Sequence, residues 1–407
     1  MPVSSPGPFL FLQRSDHSSI TRVNTDIVTQ VIIGPNLILS QWLTDTSLNM
    51  VECLIDHPSI RNRVLQPTSA SSATSFDTLS RLPGVGLPEP RRYFPVTRGR
   101  FELTPGLTRL DQDDTDQSQT VFELDSRWWQ YHSQKLTARR ERLGKYIQTL
   151  NLDPDVERAL HRQMIERMTG EHPQLFSLEQ SNARHQILHS TLSGESLIFS
   201  DAYQFLGCSI KEGHGPGYVS GLDALACQLQ EDFAVLELNP DGTDRVSALH
   251  LCFPNHWAAE DKIGQSFLQA HQPVPHFETH NRNSSALLQM LATRGPLQRF
   301  AWGVASDRRL NHHPQAPTDM DEAVWHGRQY DHDDELYLRV ERQICNPILE
   351  QRALLFSIRT YFLPFNELDF HERHNLANAI QQMDTVTLRY KGLAHSRDAV
   401  LRRLADG

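Results

Sequence analysis

Cysteine is scarce and scattered. The 407 residues hold five, Cys53, Cys208, Cys227, Cys252 and Cys345, with no CxxC pair among them. That spacing argues against a paired-cysteine zinc site and against a thioredoxin-like redox pair. An odd number of distant thiols reads as reduced and mostly buried, as expected of a cytoplasmic protein. Long apolar runs are also missing; none approaches the ~18–20 residues of a membrane-spanning helix. The amino-terminal MPVSSPGPFLFLQRSDHSS has no basic stretch before its short apolar patch, so a secretory signal is not expected. Nor is there excess positive charge: 39 Lys and Arg stand against 49 Asp and Glu, a formal net charge of -10. A basic face for a nucleic-acid backbone is therefore not expected. EGHGPG at residues 212–217 is glycine-rich but continues into neither GK[ST] nor GxGxxG, and no GxSxG occurs.

What is present is the composition of a globular chain, 39% hydrophobic and 22% charged. Residues 1–90 read as a variable region. Within it a modestly helical stretch (ILSQWLTDTSLNMVECLIDHPSIRNRVL) precedes a Ser/Pro-rich linker, QPTSASSATSFDTLSRLPGVGLPEP. The ordered body is expected over 91–407. Asp125 is a candidate N-cap for a long helix reaching about Leu150, and DPDVERALHRQMIERMTG is a second helix ended by Gly170. GLDALACQLQED puts Leu222, Leu225, Ala226 and Leu229 on one helical face. DFAVLEL, NPDGTD and VSALHLCF read as strand, turn and strand, a β-hairpin.

After a helix at SSALLQMLATRG come three strand candidates. RFAWGV is the first, and a long polar loop then leads to ELYLRVERQ and ALLFSIRTYFLPF. In the second, Leu336, Leu338 and Val340 alternate with Tyr337, Arg339, Glu341 and Gln343; in the third, Leu354, Phe356 and Ile358 alternate with Leu355, Ser357, Arg359 and Tyr361. The expected class is α+β: an antiparallel sheet of about five strands with helices around it, plus helical extensions at both ends.

One segment asks for a chemical reading. CFPNHWAAEDKIGQSFLQAHQPVP (252–275) looks like a strand end, a turn and an amphipathic helix stopped by prolines. Spacing of four puts Ile263, Phe267 and His271 on one helical face, and Pro273 leaves His271 in the last turn. A core histidine satisfied by nearby carbonyls fits this pattern. So does an axial ligand to a flat apolar cofactor lying between the helix and the hairpin sheet. Periodicity does not choose between them.

The same segment resembles the CFP-x-x-W … K-x-G … H-x-PVP signature of the haem-dependent oxidative N-demethylase family. LQEDFAVL is similar to that family's QED segment, RVERQ and FSIRTYFLPFNEL to its carboxy-terminal strands, and RYKGL to its closing motif. PGLTRLD followed by FELDSRWWQYHSQK matches in order and spacing, so the resemblance runs from about residue 93 to about 402. It implies a PAS-like core at about 220–365 that binds haem b. It further implies oxidative demethylation of a small secondary amine, dimethylamine-like, using dioxygen and releasing formaldehyde. With no flavin, nicotinamide or iron–sulfur motif in view, electrons would come from NAD(P)H through a separate flavin/iron–sulfur reductase. The alternative is a haem-binding PAS-like sensor without turnover.

Within the matched motif His271 is the expected iron ligand, with His250 and His256 as rivals. A carboxylate with an aromatic wall would hold the amine, and Glu231, Asp232 and Glu341 are the candidates. Trp257, Arg339, Arg359 and Tyr361 are the candidates for contacts to the cofactor, the guanidinium groups matching its carboxylates. Structural roles compete with each of these: Glu341 pairing with Arg359 across adjacent strands, Asp232 bridging the hairpin, Trp257 in the core.

Overall fold

The computed structural model describes residues 86–407, apart from 103–105, 111–119, 182–183, 210–216, 278–283, 319, 323–324, 326–329, 331–334, 349–351 and 407. It also describes two short strands, β1 (Gln30–Ile32) and β2 (Ile38–Ser40), which pair antiparallel. The chain divides into two units, Met1–Ser75 and Phe76–Gly407. The rest of the helical stretch expected near residues 38–65, the linker, and most of the glycine-rich and YDHDDE loops lie outside the described residues.

Eight α-helices and two antiparallel sheets build the second unit among the described residues. The larger sheet has seven strands: β3 (Thr108–Arg109), β4 (Ile147–Thr149), β9 (Asp232–Leu238), β10 (Asp244–His250), β11 (Leu297–Ala305), β12 (Tyr337–Ile348) and β13 (Ala353–Pro364). Their spatial order is β3-β11-β12-β13-β9-β10-β4. The five strands expected from the sequence form its centre. β3 and β4 are edge additions of two and three residues, too short to show a period. A second sheet takes β5 (Phe176–Gln180), β6 (His185–Ser190), β7 (Ser196–Ser200) and β8 (Phe205–Ser209) in sequential order. The total therefore exceeds the five expected.

Local chemistry sets the element ends. The β9–β10 turn closes on Gly242 at φ 87°, where a side chain would be strained, and the Asp241 carboxylate accepts the Thr243 N–H at 2.9 Å. Helix α1 (Trp128–Tyr146) starts after Arg127, not at Asp125, which instead accepts the Arg127 N–H at 2.9 Å. It stops four residues before Leu150, because Ile147–Thr149 pairs with Ala248–His250 as the sheet edge. Helix α2 (Pro154–Glu171) has Asp153 as N-cap and proline at its first turn; Gly170 lies inside it, and the chain leaves the helix at His172. Helix α3 (Gly221–Cys227) is capped by the Ser220 hydroxyl.

Helix α4 is short, Phe267–His271, started by a reciprocal capping box of Ser266 and Gln269. Ile263 therefore precedes the helix, in a turn that passes through Gly264 at φ 79°. It packs in the same apolar cluster as Phe267. Helix α5 (Ser284–Thr293) follows, and α6 (Phe370–Gln381), α7 (Thr385–Tyr390) and α8 (Arg397–Asp406) close the chain.

Strand register fixes two faces. Leu297, Cys345, Phe356 and Ala234 stand opposite one another in successive strands, so they share a face. The Arg299, Gln343, Ile358 and Asp232 row, and the Ala301, Glu341 and Thr360 row, lie on that face too. Its apolar part packs against Ile263, Phe267, Trp257 and the α5 residues Leu288, Leu291 and Ala292. The opposite face is covered twice. Phe233, Val235 and Leu355 meet α2 and the second sheet, while Leu338, Val340, Tyr361 and Leu363 meet α6 and α8.

Candidate functional site

Strand register puts three of the sequence candidates, Asp232, Arg339 and Glu341, on one face of the sheet; Trp257 and the α4 residue Phe267 pack on the apolar part of that face, and His271 ends α4. His271 ends α4 with its ring packed on aromatics. The Phe267 ring centroid is 4.3 Å away, and Phe277 stacks on it at 5.3 Å. Its Nδ1 lies 2.8 Å from the Phe267 carbonyl oxygen, which makes Nδ1 the protonated nitrogen and Nε2 the lone-pair donor. Among the described residues Nε2 has no hydrogen-bond partner. Burial lowers the ring's pKa; the Phe267 carbonyl opposes this, and the Arg299 and Lys262 charges add to the lowering. The imidazole is held neutral, as a metal ligand must be.

Glu341 stands opposite Thr360, nearly buried, with Asn255 Nδ2 donating at 3.1 Å and Gln343 Nε2 at 3.0 Å. The Arg339 Nε lies 3.6 Å from the same carboxylate. The expected cross-strand pairing of Glu341 with Arg359 is not formed. Arg359 stands opposite Arg342, one residue out of phase, so the period of two sends it to the other face. Arg339 fastens loops through its two terminal nitrogens, while its Nε has no hydrogen-bond acceptor. Its terminal nitrogens donate to the Leu310 carbonyl at 3.1 Å, His312 at 2.8 Å and the Phe253 carbonyl at 2.8 Å. Asp232 accepts the backbone N–H groups of Cys252 at 2.9 Å and Phe253 at 2.6 Å, so it ties the start of the CFP segment to the sheet. Its pKa is raised to about 6 by burial, against the opposing charge of Lys135 and those two bonds.

Glu231, Arg359 and Tyr361 belong to a sealed network on the opposite face. Arg359 meets Asp125 at 2.7 Å and lies 3.8 Å over the Tyr131 ring. The Tyr361 hydroxyl donates to Glu123, which also accepts from Tyr93 at 2.6 Å. Arg342 approaches Glu123 at 3.4 Å, and Glu231 accepts the Glu123 N–H at 2.8 Å. Burial raises the Glu231 pKa to about 7 despite the Arg359 charge. The FELD residues of the amino-terminal motif are thus the partners of the carboxy-terminal strands.

Of the rival histidines, His250 is fully buried behind the sheet. Its Nε2 is 3.3 Å from Asp223 and 3.8 Å from the Cys227 sulfur. Asp223, Cys227 and His250 have the donor types of a metal site. Here, however, the Arg139 guanidinium already takes both Asp223 oxygens, at 2.9 and 2.8 Å. His256 sits in the left-handed region at φ 62°, with its ring 5.3 Å from His312.

Sequence reasoning gave no role to Arg299, Gln343, Asn255 and Phe277, all near the His271 face. The signal for Arg299 was present: in LQRFAWGVA it is the one charged side chain on a face otherwise made of Leu297, Ala301 and Gly303.

Among the described residues no helix is long and apolar enough to cross a membrane. Residues 113–401 match the family model described as haem-dependent oxidative N-demethylase, alpha subunit-like. That description carries haem dependence, an oxidoreductase activity and, in the word alpha, a partner subunit. The chain belongs to the haem-dependent oxidative N-demethylase alpha-subunit-like family.

Proposed function

We propose that the face under α4 and α5 would hold haem b, with His271 Nε2 as the nitrogen that would bind its iron, and that the chain demethylates a small secondary amine such as dimethylamine. One observation carries the reading: the His271 imidazole is tethered through Nδ1 to a backbone carbonyl at 2.8 Å, while Nε2 is left without a partner. A second-ring hydrogen bond of this kind is what orients a metal-bound histidine and fixes its tautomer. The aromatic packing of Phe267 and Phe277 suits a flat apolar ligand. A hairpin, then helices, then three further strands supports a PAS-like description of the core. Bound haem supplies the redox-active iron that the family name requires.

The net reaction balances as amine, dioxygen, two electrons and two protons giving demethylated amine, formaldehyde and water. The electrons come from NAD(P)H through a partner flavin/iron–sulfur reductase. Glu341 is the carboxylate we assign to the ammonium of the substrate, held in place by Asn255 and Gln343. Trp257, half-buried in the apolar cluster on this face, is the aromatic wall we assign to the site. Asp232 and Arg339 position the loop that carries Asn255 and Trp257. Glu231, Arg359 and Tyr361 fasten the other face.

Adding haemin to the purified chain is expected to give the Soret band of an imidazole-ligated haem. His271→Ala should lose that ligation and recover it with added imidazole. Formaldehyde should appear from dimethylamine once a reductase is supplied. An unchanged iron ligation in His271→Ala would overturn the reading. Haem uptake without turnover of any amine would favour a sensor.

A further inference from the structure

Arginines of the sheet and its supporting helices are paired almost throughout: Arg139 with Asp223, Arg359 with Asp125, Arg342 with Glu123, and Arg339 with backbone carbonyls. Arg299 differs from these and, unlike the unpaired arginines at the surface, is not exposed. Its Nε is buried without an acceptor, and among the described residues its guanidinium has neither a hydrogen bond nor an ion pair. The carboxylate on its own face, Glu341, belongs to the neighbouring row, and no ion pair or hydrogen bond joins it to Arg299. A half-buried guanidinium without an anion is costly to keep, and a planar fork of donors is shaped for a carboxylate.

Arg299 projects from β11 onto the His271 face, and its charge is felt at the His271 ring. Nearby, Lys391 adds a second positive charge among the rings of Phe101 and Trp302, each 5.4 Å from its nitrogen. We infer that Arg299 is a receptor for a carboxylate on this face, and that this carboxylate is a propionate of the haem bound at His271. The inference rests on the haem reading proposed above.

A carboxylate could also come from the substrate, as in N-methylglycine, so the test separates the sources. The wild-type chain, freed of haem, is titrated at the Soret band with haemin and with haemin dimethyl ester, whose propionates are masked. Arg299→Gln and Arg299→Lys are titrated alongside. Haemin is expected to bind Arg299→Gln about ten- to a hundredfold more weakly than wild type, the range for losing a charge-assisted contact. Arg299→Lys should lie between. The ester should bind wild type and Arg299→Gln equally, which is a result independent of how well haemin binds the variant. Equal haemin affinities for wild type and Arg299→Gln would overturn the inference alone. An altered affinity for N-methylglycine with haemin binding unchanged would move the carboxylate to the substrate and also overturn it. A wild-type chain that takes up neither porphyrin would overturn the haem reading and the inference together.

Discussion

Gly221 opens helix α3, and replacing it with alanine ought to stabilise the protein. Alanine is the better helix former by up to about 1 kcal/mol, and it also restricts the unfolded chain. The packing predicts the opposite sign. A Cβ at residue 221 would lie 2.4 Å from Cε1 and Nε2 of His161 and 3.0 Å from Cδ2. Ordinary carbon contacts are about 3.5–4.0 Å, so the ring would have to retreat by roughly 1 Å. It has little room to do so. His161 is 1% exposed, its Nδ1 is 3.0 Å from the Tyr203 carbonyl, and Phe199 packs on it at 5.6 Å. Overpacking of this kind costs about 1–3 kcal/mol, and losing the carbonyl bond adds about 1 kcal/mol. The clash therefore outweighs the propensity gain, and Gly221→Ala should lower the unfolding free energy by about 1–3 kcal/mol in urea. Combining it with His161→Ala removes the clash, so the double variant should lose less than the sum of the singles by at least ~1 kcal/mol. Additivity within about 0.5 kcal/mol, or a stabilised Gly221→Ala, would refute the reasoning.

Two more outcomes follow from the site and its supporting network. Burial raises the Glu231 pKa from 4.5 to about 7, so its contribution to stability is full below about pH 4.5 and is lost as pH rises through about 7. The swing is roughly 3 kcal/mol; Glu231→Gln should flatten it, and urea curves at about pH 5 and 8 that shift in parallel for both proteins would exclude it. Glu341→Gln should lower kcat/KM for dimethylamine by about ten- to a hundredfold, the worth of a charged hydrogen bond, with the haem spectrum unchanged; an undiminished rate would remove Glu341 from the substrate.

Much of the sheet could be read in the sequence because its strands are half-buried on each side. Leu338 and Val340 against Arg339 and Glu341 is a period of two, and register confirms those faces residue by residue. The hairpin was legible from NPDG. Less was visible where the signal is short or non-local. The two edge strands hold two and three residues. In the second sheet, β5 buries only Phe176, so alternation is faint. Helix α4 was read as beginning too early, because Ile263 has the right spacing but Ser266 supplies the cap. Partners were illegible altogether: nothing local in FELD says that Glu123 meets Tyr361 or that Asp125 meets Arg359, 234 residues away.

That blindness to partners explains why the sequence candidates divided between two faces. Charge and position in a motif rank Arg339, Arg359 and Arg299 alike, yet they differ in what folding has already given them. On the far face several atoms also lack acceptors or donors, among them Glu231 Oε2 and the Nε and Nη1 of Arg359. Those residues are at most 1% exposed, and each is anchored by another of its atoms, so no ligand can reach the unused valence. Under α4 the situation differs. Arg299, Gln343, Phe356, Trp257 and His271 all keep partial exposure, and among them are an imidazole nitrogen and a guanidinium that folding leaves unmatched. A buried polar group without a partner costs free energy wherever it sits. Only where it can also be reached does binding recover that cost, and the His271 face meets both conditions.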